Sequence, residues 1–99
     1  MHGEYKVPGG KLVVVDLAVV DDRLSAVQVS GDFFLEPDSA LDTINGSLLG
    51  LPVDSEEMLL AGAVRVSLGG DAILFGVTPE AIAIAVRRAI DAGIDGART

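Results

Sequence analysis

Apolar and polar positions alternate from Lys11 to Val20, where Val13, Val15, Leu17 and Val19 fall on one face and Asp16 marks the other as solvated. A period of two residues is the signature of a strand with one buried side. The pattern resumes from Arg23 to Ser30, with Val27 and Val29 on one side and Gln28 and Ser30 on the other. Asp21-Asp22 lies between the two runs, where a hairpin turn belongs. Asp-Gly or Asn-Gly is the stronger signal there, because two-residue turns require positive φ, so a longer loop stands as the alternative. Carried forward, the second strand puts Phe33 with the valines and Phe34 with the polar residues. One ring then joins the core, worth roughly 1.5–3 kcal/mol of burial. The other is either covered by a helix or left exposed, as rings at interfaces are. A bend at Gly31 that turns both rings inward is the competing reading.

After Glu36 the period changes. Glu36-Pro37-Asp38 reads as a helix start, with proline at the first position and acids at the positive end of the dipole. Leu41, Ile44, Leu48 and Leu49 recur at three- and four-residue spacing, which predicts a helix over about 37–49. Asn45-Gly46 weakens it, and Gly50-Leu51-Pro52 closes it. Asp54 followed by Glu57 has the spacing of an N-terminal cap, with Ser55 as competitor, and opens a second helix with Leu59, Gly62, Ala63 and Val66 as its apolar stripe. Val64 to Leu68 also alternates, which leaves strand as the alternative there. After the Gly69-Gly70-Asp71 turn, Ala72 to Val77 is an apolar run of strand length, read as buried. Thr78-Pro79-Glu80 then caps a third helix whose face is Ile82, Ala85, Val86, Ala89 and Ile90, ending near Ala92-Gly93. Residues 94–99 have little to pack and read as a disordered tail. The order ββααβα predicts an α+β fold, a small antiparallel sheet with helices packed on one face.

At 99 residues and 49% hydrophobic, the chain is one domain, taken to span residues 1–93. So small a domain buries only about 60–65% of its extended surface, and a partner surface matters to it. The net charge of -8 argues against nucleic acid or an anionic membrane as partner, since Arg87-Arg88 is the only basic pair. The absence of cysteine removes disulfides, thiolate metal sites and cysteine nucleophiles. The single histidine, His2, lies at a terminus expected to fray. No apolar run approaches the ~18–20 residues of a membrane span, and the opening Met-His-Gly-Glu-Tyr is unlike a signal peptide, so a cytoplasmic location is expected. Glu56-Glu57 invites an acid/base reading, but helical neighbours point about 100° apart and both suit a solvated first turn.

Val7-Pro8-Gly9-Gly10-Lys11 forms a tight loop before the first strand. Its Gly-Gly-Lys is not a phosphate loop, which requires two spaced glycines and a Ser or Thr after the lysine, whereas Leu12 follows here. Two readings stand: a bend that sets the strand, or a flexible loop that presents Lys11 to an anionic ligand or acidic partner. Asp32 likewise reads either as a turn or cap acid or as part of a surface.

Val7-Pro8-Gly9-Gly10-Lys11-Leu12-Val13, the later Ser30-Gly31-Asp32-Phe33-Phe34-Leu35-Glu36-Pro37 and Gly76-Val77-Thr78-Pro79-Glu80 resemble the small accessory domain of lipoate-protein ligases. The likeness covers roughly residues 5–90, and the pairing of PGGK with GDFF carries most of its specificity. It implies a fold like that of the sulfur-transfer and iron-sulfur scaffold proteins. It also implies a role beside a catalytic subunit that activates lipoate with ATP to lipoyl adenylate and passes the acyl group to an acceptor lysine. ATP, Mg and lipoate are then held by that partner, and this chain alone holds no cofactor. In this family the accessory domain covers the active site and serves the activation step. The resemblance places Gly9, Gly10, Lys11, Asp32, Phe33 and Phe34 on the surface that meets the partner or its adenylate, with no catalytic residue on this chain. Asp21-Asp22 departs from the commoner Asp-Gly turn. The methionine close before the motif favours a separate gene, and the alternatives are a general protein-interaction module or a detached domain of a fused ligase. An iron-sulfur scaffold is excluded for want of cysteine, and an acyl acceptor needs a lysine at a hairpin tip, where this chain has Asp21-Asp22.

Overall fold

A computed structural model describes residues 1–97. It contains β1 (His2–Lys6), β2 (Leu12–Val20), β3 (Arg23–Gly31), β4 (Phe34–Glu36), α1 (Ala40–Leu48), α2 (Glu57–Leu68), β5 (Ile73–Phe75) and α3 (Pro79–Ala97). The α+β class and the expected order hold, extended by β1 and β4. Strands β1, β2 and β3 form an antiparallel sheet in that spatial order, and β4 and β5 pair as a separate antiparallel ribbon.

The expected hairpin is β2-β3. Val20 pairs with Arg23, so the turn has two residues, and Asp21 (φ 54) and Asp22 (φ 63) both take the left-handed conformation of a type I′ turn. No longer loop is needed, since Asp tolerates this region better than most residues. Ala18 faces Ala26 while Val19 faces Leu24, so Ser25 is an extra residue in β3. This bulge changes the strand's parity and turns Leu24 inward beside Val27 and Val29, where it is 1% exposed.

The expected loose arm over residues 1–6 is instead a third strand, His2–Lys6, with Gly3 opposite Val15 and Tyr5 opposite Val13. Gly3 is buried because α3 crosses directly over it: a Cβ there would strike the backbone of Ala85 and Ala89. The alternation of β1 is real, with Gly3 and Tyr5 on the inward side, but Gly3 carries no side chain, which hides the alternation from a hydrophobic pattern. His2 is held rather than frayed, with Nδ1 2.7 Å from an Asp16 carboxylate oxygen and Nε2 2.7 Å from one of Glu4.

The helices lie on one face of the sheet. Ala81, Ile82, Ala85, Val86, Ala89 and Ile90 of α3 join Val13, Val15, Leu17 and Val29 in the core. Thr78 caps α3 as expected, its Oγ1 accepting the Ala81 N–H at 3.0 Å. The helix then runs past the expected end at Gly93 to Ala97, and the remainder of the expected tail lies outside the described residues. Pro37 precedes α1, which begins at Ala40 with Ser39 as N-cap and continues through Asn45-Gly46. Asn45 ties it to the sheet, its Oδ1 accepting the Val29 N–H at 2.9 Å. The segment after α1 covers the rest of this edge: Leu24 donates to the Leu51 carbonyl and Gly50 donates to that of Leu24.

Helix α2 begins at Glu57, and neither Asp54 nor Ser55 caps it; the Ser55 hydroxyl donates to the Pro52 carbonyl instead. The helix assignment for Val64 to Leu68 holds. The expected inward stripe is reversed, however: Leu60, Ala61 and Val64 are buried, whereas Leu59 and Val66 face out. Among the described residues no helix is long and apolar enough to cross a membrane.

Candidate functional site

The loop between β1 and β2 closes on itself, with the Val7 N–H donating to the Lys11 carbonyl at 3.1 Å and the Gly10 N–H to that of Val7 at 2.8 Å. Gly9 supplies the left-handed residue (φ 71) that this reversal requires. Two contacts fix the loop's exit. The Lys11 N–H donates to the Gly76 carbonyl at 3.1 Å, and the Leu12 N–H donates to an Asp32 carboxylate oxygen at 3.2 Å. The three short stretches PGGK, GDFF and GVTPE, far apart in sequence, therefore meet at one end of the molecule.

Gly31 is the seat of this junction. Its φ of 153 lies outside the comfortable range of other residues, and a Cβ would strike the Leu12 carbonyl and come within 2.8 Å of the Phe33 ring. The chain breaks from the sheet here, and strand parity holds across the break. Phe33 packs against the core and Phe34 is 74% exposed. The alternative in which both rings turn inward is not what forms. Asp32 does the work of a turn acid, holding the exit of the PGGK loop.

The ribbon adds residues that sequence reasoning missed. Phe34 pairs across strands with Phe75, and Glu36 with Ile73. Leu35 and Leu74 turn toward the core, so Phe34, Phe75 and Ile73 share the outer face. Residues 72–77 were expected to be a buried strand, yet Phe75 is 52% exposed. An unbroken apolar run carries no alternation, and parity about Leu74 emerges only once the partner strand is known. A shallow hollow of about 250 Å³ lies against Phe34, walled by Gly31, Phe33, Leu35, Asp38 and Leu41.

Lys11 sits at the rim of this apolar surface. Its stem lies against Gly76, where any Cβ would come within 2.6 Å of the lysine Cγ. The side chain is exposed and makes no ion pair among the described residues. The other loop cation, Lys6, donates to the Gly10 carbonyl. The end of the molecule thus combines two exposed aromatic rings, an aliphatic neighbour and one cation on a braced loop. Rings and cations of this kind recognise a partner surface or an anionic group. Among the described residues no cluster of three or more His, Asp or Glu is arranged to hold a metal ion. The two remaining arginines of note serve the scaffold: Arg87 donates to the Val53 carbonyl and pairs with Asp91, and Arg88 donates to the Glu4 carbonyl with its guanidinium 5.0 Å from the Tyr5 ring centre.

No protein-family model matches the chain, and no curated protein does. Among solved structures the chain is similar to one from the structural analysis of an archaeal lipoylation system, a bi-partite lipoate protein ligase and its E2 lipoyl domain, from Thermoplasma acidophilum. The two share 26% identity at a TM-score of 0.68, over 88% of this chain and 98% of the other.

Proposed function

We propose that this chain is the non-catalytic accessory subunit of a two-part lipoate-protein ligase, which assists a separate catalytic subunit in the ATP-dependent activation of lipoate to lipoyl adenylate. The likeness to a chain of a bi-partite ligase system supports this over nearly the whole length. The observation that carries the reading is the convergence of PGGK, GDFF and Gly76 on one surface, with Phe34 and Phe75 standing out from it.

On this reading the two rings are the apolar anchors of the contact with the catalytic subunit. Lys11, on its braced loop, meets an acidic residue of that subunit or the phosphate of the adenylate. Gly9 and Gly10 keep the loop low, and Asp32 and Phe33 hold it in place. ATP, Mg and lipoate are bound by the catalytic subunit. The neighbouring system also contains an E2 lipoyl domain; an acyl acceptor needs a lysine at a hairpin tip, but the β2-β3 turn here presents Asp21 and Asp22 and no lysine, which favours the ligase part.

The test is lipoyl adenylate formation by a purified catalytic subunit with and without this chain. Stimulation by the wild type, lost in Lys11→Ala and in Phe34→Ala with folding intact, is the expected result. Failure of the wild type to stimulate overturns the proposal, as does a lipoyl mass increment on Lys6 or Lys11 after incubation with ligase, lipoate and ATP.

A further inference from the structure

Helix α2 is apolar on both sides. Leu60, Ala61 and Val64 seal it onto α1 and α3, while Met58 (84% exposed), Leu59, Ala63 and Val66 (82% exposed) line its outer side, with Gly62 between them. Its twelve residues carry one acid, Glu57, and one base, Arg65. A helix that is apolar all round belongs in an interior, so a face of this kind is built to be covered. Met58 and Val66 are eight positions apart, about 12 Å along the axis, so a partner helix needs at least about two turns to cover the face.

The rim indicates what covers it. Beside Met58 the face runs into an open groove of about 680 Å³ between α2 and α3, where Glu56, Glu57, Glu80 and Asp91 stand with Arg65 and Arg87. Arg65 pairs with Glu80 and Arg87 with Asp91, whereas Glu56 and Glu57 have no ion-pair partner among the described residues. The groove is net acidic on a chain of charge -8. A second copy would bring the same acids to the contact, and an anionic membrane would be repelled.

From the outer face of α2 and the acidic groove beside it, we propose a second docking surface, for an amphipathic helix of another protein that carries Lys or Arg along one flank. Its apolar side covers Leu59, Ala63 and Val66, and its cations meet Glu56 and Glu57. The surface is distinct from the Phe34-Phe75 end, and its test does not depend on the ligase reading.

The probe is a synthetic 14-residue helical peptide of leucine and lysine, compared with its leucine and glutamate twin, titrated into the full chain and followed by amide chemical shifts. The expected result is saturable binding of the lysine peptide, with shifts centred on Met58 to Val66. Glu56→Gln/Glu57→Gln should weaken it at least fivefold, and so should Val66→Asp, with amide spectra of both variants showing the fold retained. Equal binding of the two peptides, shifts centred on Phe34 and Phe75, or no binding at millimolar peptide overturns the proposal. So does self-association of the chain that Val66→Asp abolishes, because the occupant is then a second copy.

Discussion

Phe34 and Phe75 stand directly opposite each other across the β4-β5 ribbon, both more than half exposed, while Phe33, next in sequence to Phe34, packs against the core. Adjacent rings on opposite sides of the chain separate the folding role of Phe33 from the binding role proposed for Phe34. Phe33→Ala should destabilise the domain by about 2 kcal/mol, less than the cost for a fully buried ring, because Phe33 is only partly covered. Phe34→Ala should stay within about 0.5 kcal/mol of the wild type, as surface changes do. Urea denaturation of the two variants checks this. Equal losses would mean that Phe34 is a structural residue and would remove it from the candidate surface.

The β2-β3 turn is built from two acids in a conformation that suits glycine. Asp21 and Asp22 both have positive φ, and they place two like charges side by side at the tip. Asp22→Gly relieves the backbone and one charge, at the cost of added freedom in the unfolded chain. The expected outcome is a gain of about 0.5 kcal/mol, a rise of a few degrees in Tm for a domain of this size. A lower Tm would show that the Asp22 carboxylate contributes more to the turn than its charge and strain cost.

The main hairpin, the core face of α3 and the opposite orientations of Phe33 and Phe34 were legible because each rests on a period that a single segment carries. What was not legible depended on another element. Gly3 offers no side chain to a hydrophobic pattern, and its burial follows only from the approach of Ala85 and Ala89. Leu59 and Leu60 are chemically alike neighbours, and only the positions of α1 and α3 decide that Leu60 is the buried one. The motif residues Lys11 and Asp32 were legible from their loop and from the resemblance, but Phe75 was not, since its place beside Phe34 is a matter of strand pairing.

His2 lies between two carboxylates on the outer face of β1 and β2. Hydrogen bonding to Glu4 and to Asp16 raises its pKa above the ordinary 6.5. A raised folded-state pKa means that the protonated ring favours the folded state. Its contribution is therefore complete below pH 6.5 and is lost as pH rises through the folded value. The ring is exposed, so the effect is small and screened by salt. Titration of the His2 ring protons by NMR should give a pKa above that of a model peptide, falling toward it in Asp16→Asn. A value at or below the peptide's would show that neither carboxylate engages the ring in solution.

Asn45 interrupts the apolar pattern of α1, and its side chain accounts for that interruption. β3 is an edge strand, and the Val29 N–H points away from β2 into a partly buried position where the Asn45 amide oxygen accepts it at 2.9 Å. Replacing Asn45 by leucine keeps the helix and improves its apolar face, so propensity alone predicts a neutral or stabilising change. Hydrogen bonding predicts the opposite, because the Val29 N–H is left without a partner where water has limited access. The cost of such an orphaned donor is about 1–3 kcal/mol, which outweighs the propensity gain of a few tenths. Asn45→Leu should therefore lower stability by at least about 1 kcal/mol, and the Val29 amide should exchange with solvent faster than in the wild type. Unchanged stability together with unchanged Val29 exchange would show that the edge is closed by the Gly50-Leu51 segment alone.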